Sequence, residues 1–391
     1  MCFIQCTLRK SIRPSPNKIS ILYINNWTID QSAKIATVVK NEKSTNPTLV
    51  LINGKLFSSS PFTDLSEGRV VINILNASQI DAVLFTPDFL RWGIQQCQEL
   101  VRNADFYCLG ANIKDRVTNQ TFGQEFLLKA LGKSQIAILG VNYDSSNYYF
   151  KDKTIEFDNP KFTILKLLPL VENHTDFQFI LTQSQDSLDL PVDLIFGAPT
   201  KSEVQLLPFG EPGIYKIDIG FNNLTNITEI KRTTVLLDTI QSDTLIKKII
   251  TDYQTKLDSL LKIKINTPTN DLNKWVIESI LDITKSQSFA SNQPLVAKQP
   301  SSNKISFGDF YNVLNEKDII PILKINGNQL KDYKKFLTPS ISPISANKNY
   351  QILTTNDFLN LNSELRFESV EYTNLTIWKM VSNYLEKSIW E

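Results

Sequence analysis

Histidine is almost missing from this 391-residue chain, which has one, His174. Sites that need a histidine cluster, most zinc and di-metal hydrolase centres among them, cannot be built from it. Glycine is scarce too, at 13 residues or about 3% against a usual ~7%, so glycine-rich phosphate cradles are few. Cysteine is limited to Cys2, Cys6, Cys97 and Cys108, with no C-x-x-C spacing. Cys97 and Cys108 read as buried free thiols in preference to a disulfide. Neither sign of charge is in excess: 41 basic side chains against 40 acidic ones leave a net +1. That balance argues against a broad nucleic-acid or anionic-membrane surface. No run approaches the ~20 apolar residues of a membrane helix.

What is present is ordinary for a globular protein, 42% hydrophobic and 21% charged residues, and the length predicts two or three domains. Arg9, Lys10, Arg13 and Lys18 precede the first acid, Asp30, a weak likeness to an organelle transit peptide that Pro14 and Pro16 interrupt. No clear signal peptide stands out, so a cytoplasmic or organellar location, mitochondria included, is the expectation. The seven N-x-S/T sequons say little in a chain with 34 asparagines.

Short apolar runs at Ile19–Ile24, Thr48–Ile52, Ala82–Phe85, Phe106–Leu109, Ile136–Val141, Phe177–Thr182 and Leu194–Gly197 alternate with longer segments such as Ala33–Lys40 and Gly68–Ala77. Strands buried on both faces and spaced by helices predict an α/β layered sheet. From Lys201 to Leu237 the alternation predicts an antiparallel edge or a second sheet. Residues 242–263 carry Leu245, Ile246, Ile249, Ile250, Tyr253, Leu257, Leu260 and Leu261 at helical spacing, with Ser242 as N-cap. This long helix predicts a connector. Leu272–Ile283 predicts another helix and Lys285–Asn303 a loop. The aromatics fall mostly at core spacing, with Tyr148-Tyr149-Phe150, Trp378 and Trp390 the candidates for exposed contacts.

Local wording at several junctions carries a resemblance. Ile21-Leu22-Tyr23-Ile24-Asn25-Asn26 and Ser60-Pro61 through Gly68 to Ile80-Asp81-Ala82 come first. Ile305-Ser306-Phe307-Gly308-Asp309-Phe310-Tyr311, Ile325-Asn326-Gly327-Asn328-Gln329-Leu330 and Thr355-Asn356-Asp357-Phe358-Leu359 follow. In this order, over about residues 19 to 385, they resemble the 5′-nucleotidase family, two-domain metallophosphoesterases. The last three resemble its I-T-x-G-D-x-Y, L-T-G-x-x-L and T-N-D-F-L segments. The resemblance implies an α/β fold: a layered metallophosphoesterase-like αββα domain at 19–241 after an N-terminal extension at 1–18. A connecting helix at 242–265 and a 5′-nucleotidase C-terminal-like α/β domain at 266–391 would follow.

The family's chemistry runs on two divalent cations held by carboxylates and histidines, and every ligand position departs from that pattern here. The D-x-H loop falls on Asn26 and Thr28, and the metal-bridging aspartate on Lys55. The G-N-H-E segment is Thr86-Pro87-Asp88-Phe89, so Pro87 and Asp88 replace the asparagine ligand and the catalytic histidine. The S-H loop places Gln183, and the G-G-H-T-H loop places Pro199 and Lys201. Proline has no side-chain donor and an ammonium repels a metal, so the sign of the pocket is reversed. Asp88 could pair with Lys55 or Lys201 there; an ordinary surface role for each lysine is the alternative. In the C-terminal half Asn292 remains, but the arginine position falls at Ala297 or Lys298. Glu316 and Asp318 occupy the P-F-x-N stretch, and Glu364 and Arg366 the last substrate stretch.

The sequence reading is a catalytically inactive pseudoenzyme, without metal or cofactor, serving as a structural or accessory binding subunit. Other protein subunits are its expected partners, with no nucleic acid and no membrane span. The alternative is a small-ligand or anion-binding protein using Lys55, Lys201, Lys298 or Arg366. A metal-dependent phosphohydrolase with substitute ligands is the remote third. His174 reads as exposed in a polar turn. Ser58-Ser59-Ser60 reads as a loop, since no histidine base stands ready to activate a nucleophile.

Overall fold

The computed structural model describes residues 18–142, 154–184, 188, 190–198, 212–222, 226–266, 271–299, 304–315, 319–362 and 364–381. β1 (Lys18–Asn25) and β2 (Thr48–Asn53) are buried along almost their whole length, which is why they read as continuous apolar runs. β3 (Ala82–Leu84) and β4 (Tyr107–Leu109) extend them as a parallel row. The hairpin β11 (Gly213–Asn222) and β12 (Asn226–Thr234) joins on the β1 side, giving the order β12-β11-β1-β2-β3-β4. The antiparallel edge, of the two alternatives, is what forms. A second sheet, β10-β9-β7-β6, contains β6 (Phe126–Leu131), β7 (Ser134–Asn142), β9 (Phe177–Gln183) and β10 (Leu194–Phe196). β5 (Ile113–Asp115) and β8 (Ile155–Phe157) form a separate short pair.

Strand alternation sorts the side chains into layers. Ile19, Ile21 and Tyr23 of β1 share a core with Ile136, Ile138, Phe177 and Phe179 of the second sheet. The intervening Leu22 and Ile24 pack instead with α1 (Ile29–Thr45), α3 (Arg69–Ala77) and α4 (Ile94–Arg102). On the far side Ala137, Leu139 and Ile180 meet Ile164, Leu167, Leu168 and Val171 of α5 (Pro160–Glu172). Helices, sheet, sheet and helix therefore stack as the expected αββα sandwich.

α2 (Pro61–Asp64) is a single turn between β2 and α3. α6 (Thr244–Leu261) buries Ile246 in the first core, lays Ile249, Ile250 and Tyr253 against it, and touches the C-terminal core with Leu261. Beyond it, β13 (Lys264–Asn266) pairs with β15 (Lys304–Ser306). A five-stranded sheet takes β14 (Ser288–Ala290), β16 (Ile319–Asn326), β17 (Leu337–Thr338), β18 (Asn349–Thr354) and β19 (Ser369–Thr376), in the order β17-β14-β18-β16-β19. α7 (Leu272–Thr284) and α8 (Phe307–Val313) cover one face, and α9 (Gly327–Leu330) and α10 (Asn356–Leu361) the other.

Some expectations change. The cap of α6 is Asp243, one residue after Ser242, and Leu245 and Leu260 point outward at 50% and 39% exposure. The stretch expected to be a loop contains β14, a three-residue parallel partner of β18. Trp378 is buried, while residues 148–150 and 390 lie outside the described residues. Cys97 and Cys108 are buried free thiols, as expected.

Asp243 accepts the Ile246 N–H at 3.0 Å and pairs with Lys40. Burial pushes its carboxyl up, but Lys40 and the cap amides outweigh that and hold it below the usual range. A depressed native value gives stabilisation that is present above the unfolded pKa of about 3.9 and lost as pH falls through the native one. Asp243→Ala is expected to lower the unfolding free energy at pH 7 by about 1 kcal/mol, and by less below about pH 4. Urea titrations at both pH values measure this.

Candidate functional site

With both faces of the central strands covered, the polar side chains of β1, β2 and β9 nearest the crevice stand at the strand ends. The carboxyl ends of β1, β2 and β9 are tied together by a buried asparagine. Asn53 donates from Nδ2 to the Tyr23 hydroxyl at 2.7 Å and to the Thr182 carbonyl at 2.8 Å, across the two sheets. Its Oδ1 accepts the Gly54 N–H at 2.9 Å. Burial pushes the Tyr23 phenol well above its ordinary range, which keeps it protonated. Gly197 sits at φ +88°, and a Cβ there would stand 1.9 Å from the Thr182 oxygen and 2.3 Å from Asn53 Nδ2. Only glycine permits that approach.

Around this clamp lie the positions singled out from sequence. Asn26 is exposed in the left-handed region at φ 58°, beside Gly54. Thr28 is exposed at the start of α1 without a side-chain cap bond. Lys55 is exposed, Pro87 opens a 3₁₀ turn ending at Leu90, and Gln183 is half-buried at the end of β9. Pro199 and Lys201 lie outside the described residues.

The structure gives Asp88 backbone partners, with Lys55 acting on it as a nearby charge and Lys201 outside the described residues. Asp88 Oδ2 accepts the N–H groups of Leu56 and Phe57, each at 3.0 Å, and its Oδ1 accepts the Thr86 hydroxyl. The buried carboxylate thus straps the turn after β3 to the loop after β2. Burial raises its pKa, opposed by Thr86, the two amides and the nearby charge of Lys55. The described positions therefore offer amides, a hydroxyl, an ammonium and one carboxylate already engaged by the backbone. Divalent cations want several anionic or imidazole donors, and this set does not fit a pair of them. Among the described residues no three His, Cys, Asp or Glu side chains are grouped to hold a metal ion.

In the C-terminal half a depression is lined by Asn292, Gln293, Pro294, Asn315, Thr355 and Phe358, among others. Asn292 is thus placed with the 315 stretch, and Asn315 Nδ2 donates to the Pro294 carbonyl at 2.8 Å. Lys298, Glu364 and Arg366 are exposed and do not line it, while Glu316 and Asp318 lie outside the described residues. Phe367 packs half-buried against the core that holds Phe358 and Leu359. His174 is exposed, and Ser60 caps α2. Sequence reasoning missed Asn53; a polar residue ending an apolar strand before glycine was its only signal.

Solved structures share this architecture from end to end. A 5′-nucleotidase precursor from Thermus thermophilus is 11% identical, with 95% of this chain and 96% of that one covered at a TM-score of 0.56. The NAD nucleotidase of Haemophilus influenzae is 13% identical over 95% and 96%, with a TM-score of 0.55. The sulfate thiohydrolase SoxB of Thermus thermophilus is 10% identical over 96% and 95%, at 0.52. The chain has the two-domain 5′-nucleotidase fold. No protein-family profile matches the sequence, and no curated protein does. The named activities differ among the three structures, so the 5′-nucleotidase fold alone assigns none to this chain.

The raised native pKa of Asp88 means that folding disfavours its ionised form. Its contribution to stability falls as pH rises from the unfolded value of about 3.9 through the native one. Asp88→Asn keeps an acceptor for both amides without a buried charge. It should equal or exceed the parent stability at pH 7 and flatten the pH profile. Asp88→Ala leaves two N–H groups without their acceptor and should lower stability by about 2 kcal/mol or more. Denaturant titrations at pH 5 and 7.5 compare them; equal losses in both variants would contradict the strap.

Proposed function

We propose that this chain is a non-hydrolytic relative of the 5′-nucleotidases, dividing at residues 241 and 265, that acts as a structural or accessory subunit of a larger protein assembly. The observation that carries the reading is the strand-end donor set. Lys55 stands where a bridging carboxylate is implied, and the Asp88 carboxylate is committed to the amides of Leu56 and Phe57. A hydroxide nucleophile of the metallophosphoesterase kind needs cations to lower the pKa of water, and these residues supply no seat for them. The exposed apolar side chains Phe162, Leu165 and Leu170 on α5, at 73%, 40% and 58% exposure, support a role in contact with other proteins.

A second reading is favoured by unsatisfied groups near the same crevice. Thr182 Oγ1 and Asn142 Nδ2 are buried without a hydrogen-bond partner among the described residues, at neighbouring ends of β9 and β7. By register the two side chains lie on opposite faces of the sheet, so a small anion reaching these strand ends would meet one of the two donors, the Thr182 hydroxyl or the Asn142 amide, with Lys55 exposed on the loop after β2. Buried groups of this kind normally have partners.

Elemental analysis of the purified protein is expected to find no stoichiometric divalent metal, and AMP is expected to remain intact with or without chelator. Two bound ions per chain, or AMP hydrolysis abolished by chelator, would overturn the proposal. Phosphate, sulfate and nucleotides are expected to leave the melting temperature unchanged; saturable stabilisation would favour the second reading. Sizing of the native particle from its source should give a mass above that of the free chain.

A further inference from the structure

The two halves of the chain meet across buried charge. Asp64, the last residue of α2, is fully buried. Its carboxylate accepts the hydroxyl of Tyr311 from α8, in the C-terminal half, and pairs with Arg91 at 3.2 Å. Arg91 follows directly on the turn that carries Asp88, and donates to Ser59 Oγ at 3.0 Å in the loop after Lys55. Burial, and then the negative charge of Asp64, push the Tyr311 phenol far above its ordinary range, so it remains a donor. Apolar contact flanks the triad, since Leu65 packs into the C-terminal core. A second bridge runs from Lys379 to Glu67, which Arg69 also holds at 3.0 Å.

We propose that Asp64, Arg91 and Tyr311 form a coupling device: through Tyr311 the C-terminal half sets the geometry of both loops that wall the strand-end crevice. Arg91 reaches the 55–60 loop through Ser59 and stands at the end of the 86–91 turn, so those loops share one guanidinium. That guanidinium is oriented by a carboxylate with no exposure to water, and the carboxylate in turn is met by a hydroxyl from the other half. A buried ion pair keeps its geometry only while its remaining lone pairs are satisfied. Moving α8 away removes the Tyr311 donor, admits water to Asp64 and Arg91, and releases Ser59. The Asp88 strap lies one step further along the same turn, so loosening at Tyr311 reaches the amides of Leu56 and Phe57. The coupling does not depend on what the crevice binds.

Native-state hydrogen exchange on the full chain tests this. Tyr311→Phe removes one oxygen and keeps the ring, and should speed exchange of the Leu56 and Phe57 amides about tenfold or more, with β7 and β9 unchanged. Ser59→Ala, at an exposed position that bonds both Arg91 and the Tyr311 hydroxyl, should speed the same two amides. Lys379→Gln breaks the second bridge only and should leave Leu56 and Phe57 at parent rates. Unchanged exchange at Leu56 and Phe57 in Tyr311→Phe would overturn the proposal. So would a uniform acceleration over the whole chain, or an equal effect from Lys379→Gln.

Discussion

Face-to-face burial of two sheets between helical layers is the constraint on which everything else in the N-terminal half depends. β1 and β2 are apolar on both faces because one face meets the second sheet and the other meets α1 and α3. An unpaired polar side chain in either layer would be destabilising by several kcal/mol on the scale of transfer to apolar surroundings, about 2–7. Most polar residues are therefore pushed to the strand ends, where Asn25, Asn53, Asn142 and Gln183 stand, the small hydroxyl of Ser20 within β1 being an exception. The crevice is a by-product of that layering, and its chemistry is whatever those ends carry.

The same constraint explains what the sequence disclosed. Strands buried on both sides are legible as unbroken apolar runs, and β1, β2, β7 and β9 lie within a residue or two of where the runs are. β14 is not legible, because three residues, Ser288–Ala290, sit in a polar stretch and become a strand only by pairing with β18. The cap of α6 reads one position early because Ser242 and Asp243 are both good capping types, and only the bonds to Ile246 and Lys40 select between them. Asp64 and Tyr311 lie 247 positions apart. No local pattern reports a pair like that, since its existence depends on how the two halves dock.

Site residues divide along a similar line. Chemical type is local, so the amide at Asn26, the ammonium at Lys55 and the carboxylate at Asp88 are plain from the residues themselves. Function within the fold is not local. Asp88 is legible as a charge beside lysines, yet two backbone amides and a hydroxyl take both its oxygens. Asn53, which ties the sheets together, has no catalytic or ligand type to mark it.

A crevice at strand ends has to be held open by its walls, and here both loops are anchored by apolar packing, with Leu56, Phe57, Phe89 and Leu90 buried in the first core. Hydrogen bonds within the chain then fix their backbone relative to one another. Asn53 joins the ends of β1, β2 and β9, Asp88 joins the two loops, and Arg91 with Asp64 extends the connection into the interface. Each buried group in that chain has its partner in another element, so deleting one leaves a desolvated donor or acceptor behind, at about 1–3 kcal/mol per group. Loops fastened in this way tolerate exchange of the residues that point into the crevice, as long as the fastening residues stay. Lys55 can therefore stand at a strand end next to Gly54 without disturbing the fold: its side chain is exposed, and the backbone around it is fixed by Asn53 before it and Asp88 after it.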